Sequence, residues 1–294
     1  MSDLAAALAR ATPLLIAGLA VALAFRAGIW NIGAEGQLLA GAVAAAWVGT
    51  RWHITSPLVA LAVIPLVAAL AGAAWAAVPA LLRARFGVLE VITTIMLNFI
   101  AEHLVGYLVH GPLQEAARTY PQSDPIAAAA RLTPLIPGTR LTVAFPAAVG
   151  LAALLWVFLT RTTAGFALRA AGANPRAARV SGRIRVGRVT VLAFLASGAL
   201  AALAGAAEVC GVTFALYERL SPGYGYTAIA VALLARLHPL WIVVSALFFG
   251  TLEAGAAALQ RSAGIPSVTV YAVEALIILG LIVFDRAARR AATA

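Results

Sequence analysis

The chain has 294 residues, of which 63% are hydrophobic and only 11% charged, with a formal net charge of +10. So little polar surface cannot cover a soluble domain, and the composition indicates an all-α polytopic membrane protein. A membrane β-barrel would show alternating apolar and polar residues, which are missing here. The basic excess would suit nucleic acid, but the arginines cluster at the ends of apolar runs, where the positive-inside rule accounts for them.

Nine apolar segments are expected, at residues 12–27, 33–50, 57–82, 88–110, 143–160, 189–213, 223–235, 239–260 and 266–284. Some of them are half-membrane pieces, since 12–27 and 223–235 are short for a span of about 20 residues. Between the first two lies RAGIWNIGAEGQ, residues 26–37, with Arg26, Asn31, Glu35 and Gln37 among glycines. A second broken stretch, residues 221–241, opens with Pro222, Gly223 and Gly225 and runs apolar to Arg236. Interrupted segments of this kind in two halves of a chain point to a transporter's solute path. The plain alternative is a tight turn between two spans.

Basic loops set the orientation. Residues 160–188 hold seven arginines and no acid, which places that 29-residue segment in the cytoplasm. Arg83 and Arg85 form a second short basic loop, and Arg236 to Pro239 a third. The tail DRAARR, residues 285–290, puts the C-terminus on the same side. The proline-rich loop 111–142 and the stretch Arg51, Trp52 and His53 fall outside. Nine crossings then place Met1 outside, although Asp3 stands where a signal peptide would carry basic residues. Either one short segment does not cross, or a first span is absent from this sequence.

Ionisable or amide groups at membrane depth are Glu35, Glu90, Asn98, Glu102, His103, Glu208, Glu253 and Glu274. A central charge costs about 2.5–3.5 kcal/mol on insertion scales, so each is expected to face the bundle interior, a cavity or a span end. Glu90 and Glu102 lie twelve apart and Asn98 four before Glu102, which suggests one shared inward face. These groups either line a path for a polar solute or hydrogen-bond helix to helix. Trp30, Phe99, Tyr224 and Tyr226 could stack on a flat ring, or form an interfacial aromatic belt.

The chain has no lysine and therefore no P-loop, which needs G-x-x-x-x-G-K-[ST]. Transport driven by ATP would require another chain to hydrolyse it. The single cysteine, Cys210, permits no internal disulfide and reads as a packing residue. There is no H-E-x-x-H and no G-x-S-x-G, and Asp3, Asp124 and Asp285 all fall outside the spans. The chain is not expected to be an enzyme.

The stretch at 26–37 resembles the signature of bacterial ABC-importer permeases for nucleosides and simple sugars, relatives of ribose and branched-chain amino acid permeases. Residues 89–113, 165–183 and 223–241 resemble other parts of that group in the same order. The resemblance implies one transmembrane permease domain over 1–294. This divides into N-terminal spans (1–110), an external loop (111–142), a cytoplasmic coupling loop (160–188) and C-terminal spans (189–294). For such a permease, the polar, broken and aromatic positions above make a candidate solute path of Trp30, Asn31, Glu35, Gln37, Asn98, Phe99, Glu102, Tyr224 and Tyr226. The resemblance also implies an ATPase-coupling surface at Gly172, Asn174, Pro175, Arg176, Ala178, Arg179 and Gly182. A short helix through 174–181, capped by Asn174 with Pro175 in its first turn, would carry that surface.

No cofactor or metal is implied on this chain, and ATP and Mg would sit on the partner ATPase. The implied partners are an ATP-binding subunit, a second homologous permease, an extracytoplasmic solute-binding lipoprotein and membrane lipid, in a bacterial plasma (inner) membrane. Such permeases carry one more N-terminal span followed by an outer amphipathic stretch, which residues 2–11 resemble, so the resemblance and the charge count both imply that the family's first span is absent from this sequence. An ion-coupled transporter using Glu90 with Glu102 is the alternative reading.

Overall fold

The computed structural model describes residues 2–52, 54–263, 276 and 280. The segment expected at 266–284, including Glu274, and the basic tail at 285–290 lie outside the described residues apart from the isolated positions 276 and 280. His53 lies outside them too.

Ten α-helices occur among the described residues: α1 (Ser2–Arg26), α2 (Ala34–Arg51), α3 (Pro57–Phe86), α4 (Glu90–His110), α5 (Ala144–Arg161), α6 (Thr163–Ala173), α7 (Pro175–Val180), α8 (Val186–Glu208), α9 (Tyr224–Leu234) and α10 (Pro239–Ala263). No named strand occurs among these residues, only isolated bridges in the loops. Among the described residues, six helices are long and apolar enough to cross a membrane. The protein is a multi-pass, all-helical membrane protein.

Two expectations about the start of the chain change. The first apolar segment is not short: α1 begins at Ser2 and has 25 residues, about 37 Å at the helical rise. Residues 2–11, expected to form a separate outer stretch, are the opening turns of the same helix. Their run of alanines favours helix, and Ala5, Ala7 and Ala11 are buried. Gly250 of α10 makes the fit close, since a Cβ there would come within 2.7 Å of the Ala7 carbonyl.

Helices α1 and α8 form the centre. Most of α1 is buried, whereas most of α3, α4 and α5 is not, so those three are peripheral. Small residues let α2 and α3 close on α8. A Cβ on Gly41 would lie 2.1 Å from the Ala202 oxygen, one on Gly205 2.0 Å from the Leu38 oxygen, and one on Gly72 2.2 Å from the Gly198 oxygen. Backbone approach of this kind is how membrane helices gain packing energy without a hydrophobic drive. α8 finishes in a π-helical turn, Val209–Thr213, and Phe214 then adopts a left-handed conformation with φ 57°.

The bundle has two distinct ends. At one, Arg26, Arg83, Arg85, Arg236, α6 and α7 gather. Arg83 and Arg85 ride on the last turn of α3 rather than in a loop, and Gly87 ends that helix with φ 67°. At the other end the loop 111–142 is pinned to the end of α8. Ser123 N–H donates to Leu216 O (2.9 Å), Ile126 N–H to Phe214 O (2.8 Å) and Leu132 N–H to Cys210 O (2.8 Å). Arg51 joins it through Pro112 O at 3.1 Å.

Candidate functional site

The break between α1 and α2 is built from its own polar residues. Asn31 Oδ1 accepts from Gly33 N–H (3.0 Å) and from Gln37 Nε2 (3.1 Å), while its Nδ2 donates to Gln37 Oε1 (3.0 Å) and Ser197 Oγ (3.0 Å). Ser197 in turn donates to Ala20 O at 2.8 Å. Asn98 on α4 supports the start of α2: its Oδ1 accepts Gly36 N–H (2.9 Å) and its Nδ2 donates to Ile32 O (2.9 Å) and Tyr226 Oη (3.3 Å). α2 therefore begins inside the bundle, level with the middle of α8. Irregular backbone at that depth is tolerated only where protein groups satisfy it.

The second break meets the first. α9 has only 11 residues and starts beside the start of α2. Glu35 accepts Gly225 N–H at 2.6 Å, so its carboxylate sits at the α9 N-terminus, where negative charge is favoured. Ser221 Oγ accepts the N–H groups of Gly223 (3.1 Å) and Tyr224 (3.0 Å). Gly225 allows the approach, for a Cβ there would lie 2.2 Å from Glu35 N.

Above this junction lies a cavity of about 880 Å³. It is lined by the carboxylates of Glu35, Glu102 and Glu218, by Arg219 and His103, and by the ring of Tyr226. Such a wall offers many acceptors, a few donors and a flat ring to a small polar molecule. Among the described residues no group of three or more His, Cys, Asp or Glu is placed to hold a metal ion.

The residues singled out from the sequence separate into groups. Glu35, Glu102 and Tyr226 line the cavity, and Asn98 touches its wall through Tyr226. Asn31 and Gln37 are buried beneath it and use their side chains on each other. Tyr224 turns away, into a separate cavity with Arg10, Arg140 and Glu208. Trp30 (59% exposed) and Phe99 (49%) stand outside the cavity lining, and the Trp30 ring packs on Phe25.

Glu90 and Glu102 do not share a face. The buried stripe of α4 runs Glu90, Thr94, Asn98, Ala101, Val105 and Val109, and Glu102 is exposed. Twelve residues make about three and a third helical turns, which rotates Glu102 by roughly 120° from Glu90. Glu90 is instead an anchor for the arginine-rich end, paired with Arg83 and accepting Trp30 N–H at 3.2 Å. Glu253 of α10 pairs with Arg10 at 3.6 Å. The sequence reading missed Ser197, Glu218, Arg219 and Ser221. Only the adjacent Glu218 and Arg219, next to the Pro222–Gly225 break, carried a usable signal.

At the arginine-rich end, α6 and α7 form the segment expected from 160–188. Thr162 caps α6, and Asn174 Oδ1 caps α7 by accepting Arg176 N–H (3.1 Å) and Ala177 N–H (3.0 Å), with Pro175 in the first turn. Ala178 is the buried residue of α7, while Arg176 and Arg179 are exposed. Gly182 follows with φ 69°. Gly172 presses on the turn after α1: a Cβ there would lie 2.1 Å from Arg26 O. The basic surface and the α1–α2 break are thus in direct backbone contact.

A helical bundle with two internal half-breaks below a polar cavity, and a basic helical platform at one end, defines a membrane transport subunit. The chain belongs to the family of permease components of branched-chain amino acid transport systems, whose pattern matches residues 4–284. It is 41% identical over 286 residues to a glucose ABC transporter permease protein of Haloferax volcanii, covering 94% of this chain and 74% of that protein. It is 38% identical to a guanosine ABC transporter permease protein of Bacillus subtilis (91% and 77% covered) and 32% identical to a nucleoside ABC transporter permease protein of Lactococcus lactis (90% and 75%). No solved structure matches the chain significantly.

Proposed function

We propose that this permease subunit serves an ABC importer that takes up nucleosides or related sugar-like solutes, with ATP hydrolysed on a separate subunit. The observation that carries the reading is the cavity of about 880 Å³ above the α2–α9 junction. Its carboxylates can accept from sugar hydroxyls, and Tyr226 offers a ring face and a hydroxyl. The similarity to permeases named for glucose, guanosine and nucleosides supports a polyhydroxylated cargo.

The partners in this reading are an ATP-binding subunit that holds ATP and Mg, a second homologous permease and an extracytoplasmic solute-binding lipoprotein. The arginine-rich end faces the cytoplasm by the positive-inside rule, and the C-terminus lies on that side. Arg176 and Arg179 on α7 contact the ATP-binding subunit. Movement there reaches the solute path through Gly172 and the turn after Arg26, so that closure of the ATPase alternates access to the cavity.

The test is uptake by proteoliposomes holding the complete transporter. ATP-dependent accumulation of a labelled nucleoside or hexose, lost when the ATP-binding subunit is omitted, is the expected result. Uptake that persists without that subunit and collapses with an uncoupler would overturn the reading in favour of ion coupling. The double variant Arg176→Gln/Arg179→Gln should copurify with less ATP-binding subunit, and unchanged recovery with unchanged coupled ATPase activity would count against the docking surface.

A further inference from the structure

The wall of the solute cavity is unbalanced in charge. Three carboxylates, Glu35, Glu102 and Glu218, stand against one arginine, Arg219, together with His103. His103 Nδ1 lies 2.8 Å from Phe99 O, which can only accept, so Nδ1 carries a proton and the neutral ring presents Nε2 as a further acceptor. Tyr226 Oη accepts from Asn98 Nδ2, which leaves its own proton to donate. Residues 264–284 hold one acid, Glu274, and no base, so they cannot reverse this balance wherever they pack.

Two of these carboxylates do not hold the fold together. Glu35 clasps the start of α9, but Glu102 and Glu218 form no ion pair among the described residues. Glu102 lies two turns inside the outer end of α4, about 12 Å along the axis from His110. At that depth an ionised side chain is tolerated only against water or a polar partner, which the cavity supplies. Glu218 comes from the segment between α8 and α9 and leans on α4. A Cβ on Gly106 would lie 3.6 Å from Glu218 Oε1, and Gly106 is one turn from Glu102 on the same helical face. The two carboxylates therefore reach one side of the cavity from different elements.

We propose that Glu102 and Glu218 set the charge selectivity of the solute path, which passes neutral or cationic solutes rich in hydroxyl and N–H donors and rejects those with a net negative charge, such as phosphate esters. The inference rests on the reading of this cavity as the solute path. A cleft with low-dielectric walls focuses the field of its uncompensated charges onto whatever enters. Glutamine at the same positions would accept the same hydroxyls, so the charge itself is what separates one solute from another. A nucleoside therefore enters, and its 5′-monophosphate is repelled.

The experiment reads the cavity directly, so that the choice made by a solute-binding protein does not enter. In the complete purified transporter with Cys210→Ala in this chain, Tyr107→Cys places a thiol on the cavity wall, and His103→Cys does so in a separate sample. Each thiol is reacted with a cationic methanethiosulfonate (trimethylammonioethyl) and an anionic one (sulfonatoethyl), and labelling of this chain is followed by intact mass. Relative to a free thiol in the same buffer, the cationic reagent should be favoured by about tenfold or more, and less so as salt is added. Glu102→Gln/Glu218→Gln, which leaves Glu35 and Arg219 in balance, should bring the preference within about threefold of the free thiol. Equal rates in the parent, a preference unmoved by the two substitutions, or no reaction with either reagent at either position would overturn the inference. Absence of nucleoside or hexose uptake with the preference intact would sink the cargo reading alone, and uptake without the preference would sink this inference alone.

Discussion

Asn98 offers the sharpest test of how the α2 half-helix is held at membrane depth. Asn98→Ala removes an acceptor from Gly36 N–H and a donor from Ile32 O, both at 2.9 Å, and a weaker 3.3 Å contact with Tyr226 Oη. Gly36 lies in the first turn of α2, so its N–H has no carbonyl four residues back within the helix. Each orphaned buried group costs about 1–3 kcal/mol, whereas side-chain hydrogen bonds in membrane proteins average only ~0.6 kcal/mol. Because the orphans are backbone groups away from water, a loss of about 2–3 kcal/mol is expected. That is a drop of roughly 4–10 °C in Tm for a protein near this size. The comparison variant is Tyr226→Phe, which removes only the 3.3 Å contact and should cost under about 1 kcal/mol. The assay is thermal or detergent-driven unfolding of both purified variants under identical conditions. Should Asn98→Ala prove no less stable than Tyr226→Phe, Asn98 does not cap α2 and the account of the break is wrong.

Three further outcomes can be checked. Glu35→Gln keeps an acceptor for Gly225 N–H and should fold within about 0.5 kcal/mol of the parent, while Glu35→Ala loses the cap and about 1–2 kcal/mol; equal stability of the two would remove Glu35 as the clasp between the half-helices. Gly172→Ala sets a Cβ 2.1 Å from Arg26 O and should cost about 1–3 kcal/mol in overpacking, with impaired coupling of ATPase activity to uptake; normal coupling would show that this contact carries nothing. In the loop 111–142, Gln122 Nε2 and the N–H groups of Tyr120 and Thr119 donate to Glu115, holding its carboxyl below the usual carboxylate range. A depressed folded-state pKa stabilises the turn above the unfolded value of about 4.3, and that support is lost as pH falls through the folded value. The Thr119 and Tyr120 amides should therefore stay protected at neutral pH and lose protection only in acid, as read by hydrogen exchange corrected for the intrinsic pH dependence of the exchange rate; a turn that loosens already at neutral pH would contradict this.

Several details were legible before any coordinates. The cap on α7 was, because Asn174–Pro175 is a local signal. The two broken segments were, because glycine and proline interrupt apolar runs there. The start of α1 was not: alanine-rich residues 2–11 score weakly as a span, yet α10 buries them. Helix α9 reads as a short span, but its N-terminus is set by Glu35, 190 residues away in sequence.

Composition and charge pattern alone decided that this is a helical membrane protein, which end is basic and where the chain is interrupted. These properties are sums over neighbouring residues, so no partner is needed to read them. Which polar side chains face a cavity was decided only by packing. Asn31 and Gln37 satisfy each other, Tyr224 turns away from Tyr226, and Glu102 stands about a third of a turn round α4 from Glu90. A side chain's direction depends on the helix that packs against it, and that neighbour comes from a distant part of the chain.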